Sequence, residues 1–168
     1  IIQIFENAQI RDSLRTVKGD SIFINYKDSI INTIHVKSNG EIWNYRFAKI
    51  DSNASIQRIE DYITSKEVHI NFNDTLVNTI TLGGMAKTKL YAVKDTLIQG
   101  INESSGDSIL INMDKNIITR MQIIGGATGK FNPEKNNSKV DSTIIYKAEY
   151  IDYLVSKEIS YLINNAYV

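Results

Sequence analysis

The chain has no cysteine and a single proline, Pro133, in 168 residues. Without cysteine, neither a disulfide framework nor a thiolate metal site is available. Charge of one sign is also missing: 19 basic residues offset 19 acidic ones, and no stretch concentrates either. A non-specific nucleic-acid binder needs a basic face to displace counterions from phosphates, so that class is excluded. An electrostatic membrane-surface protein is excluded on the same ground. No apolar run approaches the roughly 20 residues that span a bilayer as a helix. No signal peptide is visible either, because the chain opens on Ile1-Ile2-Gln3-Ile4 without a methionine or a basic flank. That opening reads as a cut in a longer protein, with any targeting signal upstream of it. Helix-favouring Ala and Leu are sparse, while Ile, Val, Thr, Tyr and Phe are plentiful, a composition that favours strands. The length suits one domain, 1–168, with a core large enough to need no staples.

One phrase recurs. Its first copy is Gly19-Asp20-Ser21-Ile22-Phe23-Ile24-Asn25-Tyr26, then Lys27-Asp28-Ser29, then Ile30-Ile31-Asn32-Thr33-Ile34-His35-Val36. The second joins Val68-His69-Ile70-Asn71-Phe72 through Asn73-Asp74-Thr75 to Leu76-Val77-Asn78-Thr79-Ile80-Thr81-Leu82. The third joins Gly106-Asp107-Ser108-Ile109-Leu110-Ile111-Asn112-Met113 through Asp114-Lys115-Asn116 to Ile117-Ile118-Thr119-Arg120-Met121-Gln122-Ile123. A weaker fourth occupies 148–163. From Ile22 to Val68, to Ile109 and to Ile151 the steps are 46, 41 and 42 residues, the near-constant spacing of a repeat. Copies close on small-residue phrases, Gly83-Gly84-Met85-Ala86, Gly125-Gly126-Ala127 and Asn164-Asn165-Ala166, and Glu6-Asn7-Ala8 reads as the tail of a further copy.

Within each copy the apolar residues alternate. Ile22, Ile24 and Tyr26 share one face; Val68, Ile70 and Phe72, then Ile109, Ile111 and Met113, repeat the pattern. Period two marks a half-buried strand, and period 3.6 is nowhere sustained. Three polar residues then suit a tight hairpin, and the returning strand places Ile34 and Val36, Ile80 and Leu82, or Met121 and Ile123 on the same face. The unit is therefore a β-hairpin. Segments 41–47, 87–93 and 143–146 read as further strands, Lys94-Asp95-Thr96 as a turn and 132–141 as a long polar loop; 55–62 is ambiguous, with a short helical turn as one reading.

A hairpin cannot bury its own apolar face, so serial copies must stack or curl until those faces meet. A closed barrel does this, and so does an elongated folded sheet of jelly-roll type. A repeat that runs off both ends favours the open form, whose terminal strand edges need protection or a partner. The fold class expected is all-β: an elongated antiparallel folded sheet (a β-jelly-roll or β-taco) built from repeated hairpins.

Hairpins of the form I-x-I-x-aromatic, polar turn, I-x-x-I-x-aliphatic-x-G-x-A resemble the OstA/LptA family of organic-solvent-tolerance and lipopolysaccharide-transport β-jelly-roll domains, most of all the OstA-like proteins of Bacteroidetes-type bacteria. The densest match covers 76–133, with Gly84 to Ala86, Lys89-Leu90-Tyr91-Ala92-Val93-Lys94-Asp95, Ile98-Gln99-Gly100-Ile101-Asn102 and Gly125-Gly126-Ala127-Thr128-Gly129-Lys130-Phe131-Asn132-Pro133. The segment 39–67 is longer than its counterparts and departs from the pattern. The resemblance implies a periplasmic location, with outer-membrane association as an option. It also implies an apolar trough for lipopolysaccharide or another acyl lipid, and edge-to-edge pairing with like β domains.

No catalytic set, metal site or cofactor is expected. His35 and His69 stand singly on different strands with no acidic partner at ligand spacing, so each reads as a surface strand residue. Asp20 and Asp107 occupy equivalent repeat positions and read as polar residues at a strand entrance. Gly125 to Lys130 falls short of a phosphate loop, which would need glycine where Ile124 stands and Ser or Thr where Phe131 stands. Trp43, Tyr45, Tyr91 and Phe131 read as cross-strand packing, and no serine stands in a G-x-S-x-G elbow.

Two functions fit these features. The first is a non-catalytic lipid-carrying or bridging module of lipopolysaccharide transport and outer-membrane assembly. Its lining would be Ile22, Ile24, Tyr26, Ile34, Val36, Val68, Ile70, Phe72, Ile80, Leu82, Ile109, Ile111, Met113, Met121 and Ile123. The second is a structural or adhesive β-repeat scaffold that associates through its terminal strand edges, for which the same residues are a dry core.

Overall fold

A computed structural model describes every residue except Asn116 and Asn136, together with the side chain of Ser156. The third expected turn and the long polar loop are therefore described without those two asparagines.

Alternation carries almost the whole chain into strands: β1 (Ile2–Arg11), β2 (Arg15–Lys27), β3 (Ile30–Ala48), β4 (Gln57–Asn73), β5 (Leu76–Lys94), β6 (Leu97–Asp114), β7 (Ile117–Pro133), β8 (Ile144–Leu154) and β9 (Ile159–Ile163). They form one antiparallel nine-stranded sheet in the order of the sequence, β1 to β9. The sheet is open, with β1 and β9 at its edges. The segment 55–62 enters β4 at Gln57 rather than forming a helical turn. Arg58 there lies 3.6 Å over the Tyr45 ring of the neighbouring strand, a cross-strand contact that a helix would forfeit.

The turns hold two residues rather than three: Lys27 pairs with Ile30, Asn73 with Leu76 and Asp114 with Ile117. Asp28 and Ser29 both have positive φ (51° and 68°), the type I′ geometry whose twist matches that of the flanking strands. Just beyond each turn the register slips by one residue, at Asn32, Asn78 and Thr119. This bulge explains the I-x-x-I spacing of the returning strands. Ile31 and Ile34 stand three apart yet share the inner face, as do Val77 and Ile80, and Ile118 and Met121.

A second row of bulges crosses the middle of the sheet, with register shifts at Phe5/Ala8, Lys18/Ser21, Lys37/Gly40, Thr64/Glu67, Gly83/Ala86, Ser105/Ser108 and Ile124/Ala127. β1, β3, β5 and β7 each contribute two consecutive residues of positive φ, Glu6-Asn7, Ser38-Asn39, Gly84-Met85 and Gly125-Gly126, and Asn164-Asn165 repeat the pair just past β9. Glycine and asparagine predominate because they tolerate that conformation best. The phrases Gly83 to Ala86 and Gly125 to Ala127 thus lie in mid-strand, not at the ends of units, whereas Asn164-Asn165-Ala166 does follow the last strand. Asp20 and Asp107 likewise face these bulges instead of marking strand entrances. Asp20 accepts bonds from Asn39 Nδ2 at 3.1 and 3.2 Å, and Asp107 lies against Gly125.

At this row the sheet doubles back. Asp61 and Ile70 of β4 line one small cavity of about 30 Å³, whereas nine residues of straight strand would hold them about 30 Å apart. The sheet therefore has a first leaf (2–5, 21–27, 30–37, 67–73, 76–83, 108–114, 117–124, 150–154 and 159–163) and a second leaf made of the other strand halves. Their inner faces join in one main buried cluster, and Ala48, Ile59 and Ile98 form a smaller one at the far end of the second leaf. Along the crease the inward positions are Ala8, Gly19, Gly40, Ser65, Ala86, Gly106, Ala127 and Ala148, one from each of β1 to β8. A Cβ on Gly19 would come within 2.1 Å of Val36 Cγ1, and one on Gly40 within 2.6 Å of Val68 Cγ2.

Gly19→Val should therefore destabilise the protein by about 3 kcal/mol or more, at or beyond the upper end of ordinary overpacking. Gly83→Ala, where an added Cβ meets nothing within 4 Å, should stay within about 0.5 kcal/mol of the parent. Urea unfolding of the two variants checks the contrast.

Candidate lipid-facing interior

The inner face of the first leaf is a set of cross-strand ladders. Nearest the crease, Ile4, Ile22, Val36, Val68, Leu82, Ile109, Ile123, Ile151 and Leu162 stand side by side across all nine strands. The next ladder is Ile2, Ile24, Ile34, Ile70, Ile80, Ile111, Met121 and Tyr153. Beyond it, towards the turns, come Tyr26, Phe72 and Met113 with Ile31, Val77 and Ile118.

The fifteen residues expected to line an interior all fall on these ladders. Twelve of them, Ile22, Ile24, Ile34, Val36, Val68, Ile70, Ile80, Leu82, Ile109, Ile111, Met121 and Ile123, are buried. Phe72 and Met113 are half-buried and pack against the core from its rim. Tyr26 departs furthest: it keeps the inward register but is 43 % exposed, because it sits one step from the β2–β3 turn where the leaf runs out.

The facing wall differs in chemistry. The second leaf turns inward Val17, Ile42, Ile63 and Leu90, but also Thr88, Ser104, Asn44 and Asp61. Asp61 is 2 % exposed. It accepts from Arg46 Nε at 2.7 Å, from Arg46 Nη2 at 3.0 Å and from the Tyr91 backbone N–H at 2.8 Å. Arg46 Nη2 also donates to the Tyr91 carbonyl at 2.7 Å. A charge taken this far from water persists only when it is paired and bonded on several sides. Farther along the same leaf Tyr146 Oη donates to Asn102 Oδ1 at 2.6 Å, and its ring covers Gly129, where a side chain would collide. Burial lowers the Arg15 guanidinium pKa at the cavity wall, with Asp12 acting in the opposite direction. These residues escaped sequence reading because polar residues at inward positions hide the alternation; the surviving signal is Ile42, Ile59 and Ile63, each a strand step or two from a polar neighbour.

The interior is closed. The cavity between the leaves is about 30 Å³, on the scale of one water, whereas an engineered apolar cavity that binds benzene is about 150 Å³. Across the mouth one exposed ion pair, Lys94 Nζ to Glu158 Oε1 at 2.8 Å, ties the end of β5 in the second leaf to the β8–β9 turn of the first. A larger hollow, about 500 Å³, lies instead on the outward face of the second leaf, walled by Tyr62, Lys87, Lys89, Glu103 and Lys130. At the two sheet edges apolar side chains remain in water: Ile2 and Phe5 on β1, Ile159, Tyr161 and Ile163 on β9.

Backbone comparison places this architecture. The crystal structure of LptH of Pseudomonas aeruginosa, described as the LptA-homologous periplasmic component of a lipopolysaccharide transport device, matches 89 % of this chain and 82 % of its own, with a TM-score of 0.57 and 13 % identity. The chain has the LptA-type fold. No family model matches its sequence, and no curated protein does, so the likeness lives in the backbone rather than in shared residues.

The pair can be weighed directly. Asp61→Ala should destabilise the protein by about 3 kcal/mol, the low end for removing one partner of a buried ion pair, since Arg46 keeps some water. Denaturant midpoints measured together with Arg46→Met and the double variant should show the two losses to be non-additive.

Proposed function

We propose that this chain is a non-catalytic periplasmic bridging module of lipopolysaccharide transport, holding acyl chains between its leaves. The observation that carries the reading is the unbroken apolar ladder running from one free sheet edge to the other, in a fold shared with a lipopolysaccharide-transport component. The mechanism is passive. Burying a methylene is worth about 0.8 kcal/mol, so a dozen gain roughly 10 kcal/mol before ordering costs.

Because the interior is closed, loading requires the leaves to part. Against the first leaf an entering chain replaces one hydrocarbon contact with another, an exchange of like for like. The net drive is then the removal of the lipid's own surface from water. The exposed Lys94–Glu158 pair is a weak tie across the mouth, since water screens both groups. Like domains would join at β1 and β9, whose unpaired backbone edges and exposed apolar side chains suit strand addition.

The sealed interior also favours a second reading, a structural scaffold that uses only its edges. The absence of cysteine allows the two to be separated cleanly. Lys94→Cys and Glu158→Cys, joined by a flexible bismaleimide, should keep the fold and lose binding of a fluorescent lipopolysaccharide, while the unbridged double variant binds. Equal binding by both forms would remove the need for opening, and no binding by the folded parent would leave the scaffold. Charged substitutions on the edges, Phe5→Lys or Ile163→Lys, should weaken concentration-dependent association in sedimentation without changing lipid binding.

A further inference from the structure

The outward face of the first leaf carries a group that neither the repeat nor the interior explains. His35 of β3 and His69 of β4 are direct cross-strand partners, and their rings stack with centroids 3.8 Å apart and planes 20° from parallel. Glu67, two residues before His69, points to the same side of the pleat. One ligand atom from each of His35, Glu67 and His69 lies within 4.8 Å of the other two. The expectation of two isolated histidines without an acidic partner is thus corrected. The β3–β4 register brings together residues more than thirty positions apart, and the carboxylate comes with it.

We propose that His35, His69 and Glu67 form a binding site for a divalent transition-metal ion of borderline softness, Zn²⁺ in the first place. Two imidazoles and one carboxylate are a set that zinc accepts while keeping a fourth position for water. Bonds of about 2.0–2.1 Å at a tetrahedral angle need the two nitrogens about 3.4 Å apart, and because each lone pair lies in its ring plane, the stacked rings must turn out of parallel for both to meet one ion. Among the described residues His35 Nε2 is buried and has no hydrogen-bond partner, and a buried imidazole nitrogen left without one is an unmet demand that a metal would satisfy. Burial lowers the His35 pKa, helped by His69 and Lys37 and opposed by Glu67, so the neutral imidazole that ligates metal is favoured. Lys37 is the one cation beside the group among the described residues that bear on His35. Its ammonium lies 5.2 Å over the Phe23 ring, where the aromatic face engages it.

The plain competing account is an aromatic ladder. Phe5, Phe23, His35 and His69 follow one another across β1 to β4, with Phe5 and Phe23 edge to face at 5.9 Å and Phe23 and His35 at 6.2 Å. Packing explains the alignment of the rings. It supplies no partner for the buried nitrogen and no reason for the carboxylate.

Calorimetric titration of the whole chain with ZnCl₂ at pH 7.5 should show one equivalent bound, and cobalt substitution should give the visible absorption of a low-coordinate site. His69→Ala, at an exposed position, should weaken binding by more than the about 10–100-fold that outer-shell partners are worth, and Glu67→Gln should weaken it less. His35→Phe keeps the ladder and should also abolish binding, with circular dichroism confirming the strands. Affinity in the parent should fall as pH drops through the histidine range. Saturable binding that survives His69→Ala, or no binding by the parent, would reduce the cluster to packing.

Discussion

A sheet with strands of up to 19 residues can bury one face only if it bends, and this one bends where its side chains are smallest. At the crease the inner positions hold glycine, alanine or serine in eight successive strands, and paired left-handed residues on β1, β3, β5 and β7 supply the extra chain length that a corner needs. A Cβ at Gly19, Gly40 or Gly106 already collides with Val36, Val68 or Ile123. The ladders meet, the interior closes and the mouth ion pair comes within reach because that row stays empty of bulk.

The two leaves are not equivalent once they meet. The first presents hydrocarbon from edge to edge, and the second mixes hydrocarbon with a buried ion pair, an amide, a phenol and hydroxyls, one of which, on Thr88, is buried without a partner among the described residues. The small interior void lies between the two, with Arg15, Asn44 and Asp61 beside Ile42, Ile63 and Leu90 on the second leaf and isoleucines of the first leaf opposite.

Much of this was legible before any coordinates. Period-two alternation, the recurring I-x-I phrases and the absence of helical spacing give the strands, the inward face and the open folded sheet, because those patterns are local and each repeat confirms the last. The crease was visible as small-residue phrases but misplaced to the ends of units, since a bulge in mid-strand and a turn use the same residues for the same φ. The second leaf's lining stayed hidden: Asp61 and Arg46 look like ordinary charged strand residues until the register sets them opposite each other. The same holds for His35 and His69, whose meeting depends on a loop of unpredictable length between β3 and β4. Sequence reports what is periodic. It is silent on pairings fixed by a single long connection.

The strict succession of strands, each hydrogen-bonded to those just before and after it, has a further effect. No segment has to wait for a distant one, so the sheet can grow by zippering from either side with short loops closing first, a topology that keeps contact order low for an all-β protein. It also means that a hairpin can be added or removed without rerouting any connection. The length of the ladder becomes a property that evolution can count out in pairs of strands, and a family built this way can span different distances with one architectural rule.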